Sequence, residues 1–530
     1  MTSSIIGGLS SRSPGPTGAP AWAQRPWWSE ASHGIMAGRT ALWGDHVGRQ
    51  QHAIAPHGAR TAALRSERGA AGIETMGIVV VAAILLAVVV AAASPWGSSI
   101  ASGIDAAICR VTQGECSGSE GEEAVSDSGP AAEPAGSGTE PTPQERLAEI
   151  ADMDGEELAD YLERLPAHER EALLEAARRT QLDNSVSQDE RVGAAQLLIA
   201  EAAPQVRASA DDYGIWEEWA TVMSDPGQAQ RRQELERLIA EAPDGSLLAD
   251  LRDGSIHFNA EPTPEQFDRA VARAEEGRFA QEIAGNFAGW LGTDRNFVHF
   301  EVDLENQSIR AAELTGGNLD TAEHVAVTIP GTLMGDGMGE YIDGYTRGHG
   351  NALYNSLSDI GVDNTAVISC VCYDPPRGLV NAVSGSHAET SDLAAVVDAL
   401  PSGNSPDLHI LGHSYGGVAV GHDVVNHGLE AANLICLGCP GFGGGVTGPG
   451  DLPGAATVWG IRHPQDPIQV SVGVHGTQPE APRFGGESYD YGSGWGWSPG
   501  SHSTYYTDAV SVQNLAYIVS GQEDLVTGRR

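Results

Sequence analysis

The chain has 530 residues, 41% of them hydrophobic, which is long enough for two or three domains and apolar enough for at least one substantial core. Its 30 basic against 71 acidic residues give a formal net charge of −41, which argues against nucleic acid as a partner because phosphates would be repelled. Every basic residue is Arg, and the missing Lys removes Schiff-base chemistry, P-loop phosphate binding and kinase chemistry, while no His-Glu-x-x-His zinc motif occurs.

Residues 1–69, rich in Gly, Ser, Pro, Ala and Arg, read as a leader or disordered segment. Residues 70–96 read as a transmembrane helix, because Thr75 to Trp96 carries no charge and about 20 such residues cross a bilayer. Arg60, Arg65 and Arg68 precede the span and an acidic stretch follows it, which places the N-terminus in the cytoplasm and the bulk of the chain outside. The run Arg68-Gly69-Ala70-Ala71-Gly72-Ile73-Glu74 resembles the processing site of pilin-like class III signal peptides, which implies cleavage after Gly69 with the apolar helix retained. Residues 97–142 read as an extracytoplasmic linker, in which the spacing of Cys109 and Cys116 suits a small disulfide loop.

From 143 to 295 the apolar residues recur at helical spacing, as at Leu147, Ile150, Leu158, Leu162, Leu173 and Leu174. The pattern predicts a small α-helical domain, a spacer or packing partner, with helix boundaries at Pro166, Pro204, Pro226, Pro243 and Pro262. Near Asn296 the period shortens. Phe297 to Val302 and Ile309 to Leu314 read as a hairpin, and strands are expected at 321–332, 366–372, 408–411, 433–437 and 457–461 with helical patterns between most of them. Residues 296–530 are therefore expected to form an α/β domain with a mainly parallel sheet covered by helices, whose ligands bind at the carboxyl ends of the strands.

Two Gly-x-Ser-x-Gly matches occur. Around Ser498 the flanks are Gly, Ser, Tyr, Trp and Pro, which reads as loop. Around Ser414 the motif follows the apolar run Leu408, Ile410, Leu411 and precedes Val418, Val420, Val424 and Val425 at helical spacing. A strand, a sharp turn and a helix put a serine hydroxyl at the tip of the bend, so Ser414 is the candidate nucleophile. An acid should follow a later strand, which selects Asp466, and a base should come last, which selects His502 over its main rival His475 and the weaker His463. The oxyanion hole is expected from the amide of Tyr415 and that of Thr332 or Leu333, in the turn after the neighbouring strand.

The order Ser, Asp, His resembles the α/β-hydrolase superfamily. More narrowly, Asp320 to Thr332, Tyr373-Asp-Pro-Pro, Gly412-His-Ser-Tyr-Gly-Gly, Asp466-Pro-Ile, His475-Gly with Phe484-Gly, and His502 with Tyr505 look like the actinobacterial α/β-hydrolase family catalogued as a domain of unknown function. The resemblance covers roughly residues 300–520 and implies Ser414 as nucleophile. The expected function is a membrane-anchored extracytoplasmic serine hydrolase, esterase or lipase-like, acting on a small-molecule or lipid-like ester. No metal or organic cofactor is needed, and protein partners are left open. The alternatives are an inactive surface or assembly protein that uses the fold for binding, and an acyltransferase. Tyr489, Tyr491, Trp495 and Trp497 are candidates to grip an apolar substrate. Cys370, Cys372, Cys436 and Cys439 read as buried thiols, with 436 and 439 able to bridge, rather than as a zinc site across two intervening strands.

Overall fold

A computed structural model describes residues 141–222, 226–256, 263–292, 294–334, 337–400, 405–471, 473–491 and 498–530. The leader, the apolar span with its pilin-like start, Cys109 and Cys116, and Trp495 and Trp497 lie outside the described residues. Among the described residues no helix is long and apolar enough to cross a membrane.

The helical stretch starts where its sequence supplies caps. Thr142 caps α1 (Pro143–Ile150) and Asp154 caps α2 (Gly155–Arg164), each in a capping box with a Glu three residues on. Pro166 stands at the N-cap of α3 (Ala167–Thr180). Pro204 departs from expectation, since it lies inside α4 (Gln188–Val222), a helix of 35 residues. A proline there loses one backbone bond, but Val192, Leu197 and Ile199 before it and Val206, Ala210 and Tyr213 after it are all buried. Tertiary packing on both sides of the break holds one axis. Helices α5 (Ala229–Ala240), α6 (Leu247–Arg252), α7 (Pro264–Ala284) and α8 (Phe287–Trp290) follow.

The strands are β1 (Phe297–Asp303), β2 (Ser308–Gly316), β3 (His324–Ile329), β4 (Thr365–Val371), β5 (Asp407–His413), β6 (Ala431–Leu437) and β7 (Ala455–Ile461). They form one sheet in the order β1-β2-β4-β3-β5-β6-β7, in which β1, β2 and β4 pair antiparallel and β4 through β7 pair parallel. Between β3 and β4 run α9 (Met338–Tyr345) and α10 (Asn351–Asp359); α11 (Leu393–Asp398), α12 (Gly416–Asn426) and α13 (Ala509–Val519) follow β4, β5 and β7. Alternation along β3 decides which cover each residue meets. Val325, Val327 and Ile329 join the core under α11 and α12, whereas Ala326 joins the one under α10 and α13.

The helical stretch and the sheet share a third core. Ile199, Phe279, Ile283, Phe287 and Trp290 pack with Phe297, Phe300, Ile309 and Ala311 of the hairpin edge. Buried Arg295 grips Glu313 of β2 through two bonds and Asp343 of α9 at 2.7 Å, and Trp290 donates to the same Asp343 at 2.8 Å. These helices are thus packing partners of the sheet.

Strands β3 and β5 separate Cys370 and Cys372 from Cys436 and Cys439, which excludes a shared metal, and no metal-ligand cluster occurs among the described residues. Cys370, Cys372, Cys436 and Cys439 are all buried, as expected. Cys370 and Cys372 are neighbours, as are Cys436 and Cys439, with Cα separations of 5.4 and 5.7 Å that lie within the range a bridge can span.

Candidate active site

The parallel register sets Ile329 beside Gly412, so β3 and β5 end side by side. At the end of β5 the chain turns sharply into α12. Ser414 takes φ +54°, a left-handed conformation costly for a residue with a side chain and common where a nucleophile must project. A Cβ on Gly412 would lie 2.7 Å from the backbone of Gly417, so the tight turn needs glycine there.

Ser414, His502 and Asp466 meet although 88 and 36 residues separate them along the chain. His502 comes from the turn Pro499–Ser503 before α13, and Asp466 from the loop after β7. The Ser414 Oγ lies 2.8 Å from His502 Nε2, and His502 Nδ1 lies 2.9 Å from each carboxylate oxygen of Asp466. A carboxylate can only accept, so Nδ1 carries the proton and Nε2 accepts from the serine hydroxyl. Asp466 is fully buried and also accepts from Tyr505 Oη at 2.5 Å and the Ile468 amide at 2.8 Å. Burial alone would push its pKa up; the His502 and Tyr505 bonds outweigh that and hold the carboxyl below its ordinary range.

The neighbouring histidines have other duties. His475 donates from Nε2 to the Ala382 carbonyl at 2.7 Å and sets its ring edge-on to Tyr415, while His463 accepts from the Gln465 amide through Nδ1. His413, buried and pushed down to a pKa of about 3 mainly by that burial, donates from Nε2 to the backbone carbonyl of His502 at 2.7 Å. It therefore anchors the turn that carries His502.

Of the two alternatives for the second oxyanion donor, Thr332 and Leu333, one has another partner. The Leu333 amide is spent on the Pro376 carbonyl at 3.0 Å, a bond to another loop that local sequence does not reveal. Among the described residues the amides of Thr332 and Tyr415 make no hydrogen bond. The peptide between Gly331 and Thr332 is oriented by two tyrosines. Tyr341 Oη donates to the Gly331 carbonyl at 2.5 Å, and Tyr373 Oη donates to the Pro330 and Gly331 carbonyls at 2.7 and 2.9 Å. A trans peptide points its N–H opposite its carbonyl, so the pinned oxygen aims the Thr332 amide the other way. Gly331 itself abuts Ser414, since a Cβ there would sit 2.5 Å from Ser414 Cβ and 3.1 Å from its Oγ.

Sequence reasoning assigned no role to Tyr505, His413, Tyr341 or Tyr373. Tyr505, Tyr373 and His413 did stand in the motifs; Tyr341, on α9, carries no local signal. Of the four aromatic candidates, Trp495 and Trp497 lie outside the described residues, and the other two have partners within the fold. Tyr489 is buried with its hydroxyl against Ser511, and Tyr491 donates to the Thr504 carbonyl at 3.1 Å, so both rings pack on the α13 side of their own domain.

Comparison with known proteins bears on the class. A family described as alpha/beta hydrolase matches residues 305–475. Two uncharacterized proteins of Mycobacterium tuberculosis, one from each of two strains, are 28% identical to this chain over 251 residues, covering 40% of it and 37% of each of them. The chain thus spans little more than a third of the length of these relatives. Among solved structures, a lidless a/b serine hydrolase of Xanthomonas campestris is 15% identical and covers 41% of this chain and 89% of its own, with a TM-score of 0.24. A serine hydrolase homologue of Coxiella burnetii is 15% identical over 43% of this chain and 96% of its own, with a TM-score of 0.26. Mouse alpha/beta hydrolase domain-containing protein 10 is 13% identical over 43% and 99%, also at 0.26. The mostly parallel sheet, the strand order and the family match define an α/β-hydrolase fold.

Proposed function

We propose that this protein is a serine hydrolase that cleaves an ester-type bond and is tethered to the membrane by residues 70–96, with the hydrolase portion facing outward. The observation that carries the reading is the unbroken line of contacts from Ser414 Oγ through both ring nitrogens of His502 to buried Asp466. Ser414 Oγ attacks the acyl carbon while His502 Nε2 takes the hydroxyl proton, and Asp466 stabilises the resulting imidazolium. The amides of Thr332 and Tyr415 receive the oxyanion, each donor lowering the barrier by about 3 kcal/mol. His502 then returns the proton to the departing alcohol as the bond to it breaks. Water, deprotonated by the same imidazole, releases the acid and restores Ser414. The His502 side chain is about a quarter exposed, while Ser414 itself is largely buried. The outward-facing tether rests on the uncharged run Thr75 to Trp96 and the arginines before it.

The test is labelling of cells expressing the full chain with a membrane-impermeant fluorophosphonate, beside Ser414→Ala. Labelling of intact cells that vanishes in the variant is the expected result. Labelling only after lysis would refute the outward orientation. Equal labelling of the two proteins would remove Ser414 from the mechanism.

A further inference from the structure

Large apolar side chains are seldom left in water in a contiguous group without a use. Nine are exposed among the described residues, and three of them, Met334 (56%), Leu379 (48%) and Val380 (67%), belong to two loops tied to each other. The Leu333 amide donates to the Pro376 carbonyl and the Gly378 amide to the Leu333 carbonyl, both at 3.0 Å, which fixes the 332–334 segment beside 376–380. Gly331, three residues before Met334, already touches the space of Ser414 Oγ. Three residues of chain span at most about 11 Å, so this apolar lip starts within one short alkyl chain of the reacting hydroxyl.

The lip is also neutral. In a chain of net charge −41, the segments 332–334 and 375–383 contain a single charged side chain, Arg377, and its guanidinium is held by Glu282 of α7 at 3.0 Å. Beyond Val380 the loop is anchored, with Ala382 packed on the core and its carbonyl bound by His475. Fixed backbone with free apolar side chains is a surface waiting for an apolar ligand, not a loop folding onto itself.

We infer that Met334, Leu379 and Val380 form the subsite for the acyl chain of the substrate, and that this chain is an uncharged alkyl chain of medium or greater length. The inference rests on the serine hydrolase reading above and adds the substrate class. Each methylene laid on the lip contributes to binding by leaving water, whereas a carboxylated or phosphorylated acyl group would have to compete with Glu282 for Arg377, the one cation these two segments carry.

The experiment compares the rates at which two alkyl fluorophosphonates, with two-carbon and ten-carbon chains, modify Ser414 in the detergent-solubilised full chain, below the micelle-forming concentration of either reagent. The long reagent is expected to react about tenfold faster or more, from burial of several methylenes. Leu379→Ser with Val380→Ser should remove most of that advantage while leaving the two-carbon rate unchanged, and the near-isosteric Val380→Thr should remove a smaller part. Equal rates for the two reagents in the unmodified protein would overturn the subsite and leave the hydrolase reading standing. A long-chain advantage that survives the substitutions, or that needs added neutral phospholipid vesicles, would also overturn it, the latter assigning the patch to a lipid surface. Modification by neither reagent would remove the hydrolase reading, and the subsite with it.

Discussion

At the scale of single residues the site depends on groups that never touch a substrate. Tyr341 and Tyr373 keep their protons because burial pushes both phenols well above their ordinary pKa, so they act as permanent donors to the Gly331 carbonyl. Replacing both by Phe leaves that carbonyl without its donors and frees the peptide to rotate. Ester hydrolysis by Tyr341→Phe/Tyr373→Phe should lose roughly 10–100-fold in kcat with KM little changed, because only the transition state uses the Thr332 amide. An unchanged kcat, or a parallel rise in KM, would contradict this. The residues proposed to bear chemistry were legible because each sits in a local pattern: Ser414 in a strand-turn-helix, Asp466 after a strand, His502 before a helix. Leu333 was not, because its amide partner, Pro376, belongs to a loop more than forty residues away, and no spacing rule reports such a bond.

At the scale of elements the strands were legible as apolar runs broken by turn residues, and each of the seven lies over or close to its expected position. The end of β5 shows what a period cannot tell. His409 and His413 alternate with apolar neighbours as polar residues of a half-exposed strand would, yet both are buried. Burial pushes their pKa values down to about 3, and those of His299 on β1 and His349 between α9 and α10 to about 4. All four are neutral in the fold. The unfolded chain takes up protons below about pH 6.5 and the folded chain does not, so stability is fully present above that pH and falls as the pH drops toward 4. Each histidine forfeits about 2 kcal/mol by pH 5, a large share of a domain's marginal stability. The melting temperature should therefore begin to fall near pH 6.5, well before carboxylates protonate. A melting temperature that stays flat down to about pH 4.5 would contradict the burial of these rings.

For the whole molecule, the division of labour between helices and sheet was only half legible. Periodicity marked residues 143–295 as helical, but nothing local showed that Phe279, Phe287 and Trp290 complete the core of the hairpin edge or that Arg295 ties β2 to α9. Such contacts depend on long-range packing, as does the passage of α4 through Pro204. The same long-range order brings three side chains from the far ends of β5, β7 and the final turn to one point. If they work as a relay, the imidazole is what makes the serine reactive. The direct measurement is the rate at which a fluorophosphonate modifies Ser414 in the full chain and in His502→Ala, with folding checked by melting temperature. Loss of the base should slow modification by roughly 10²–10⁴-fold, whereas an equally fast reaction in the folded variant would contradict the account at its centre.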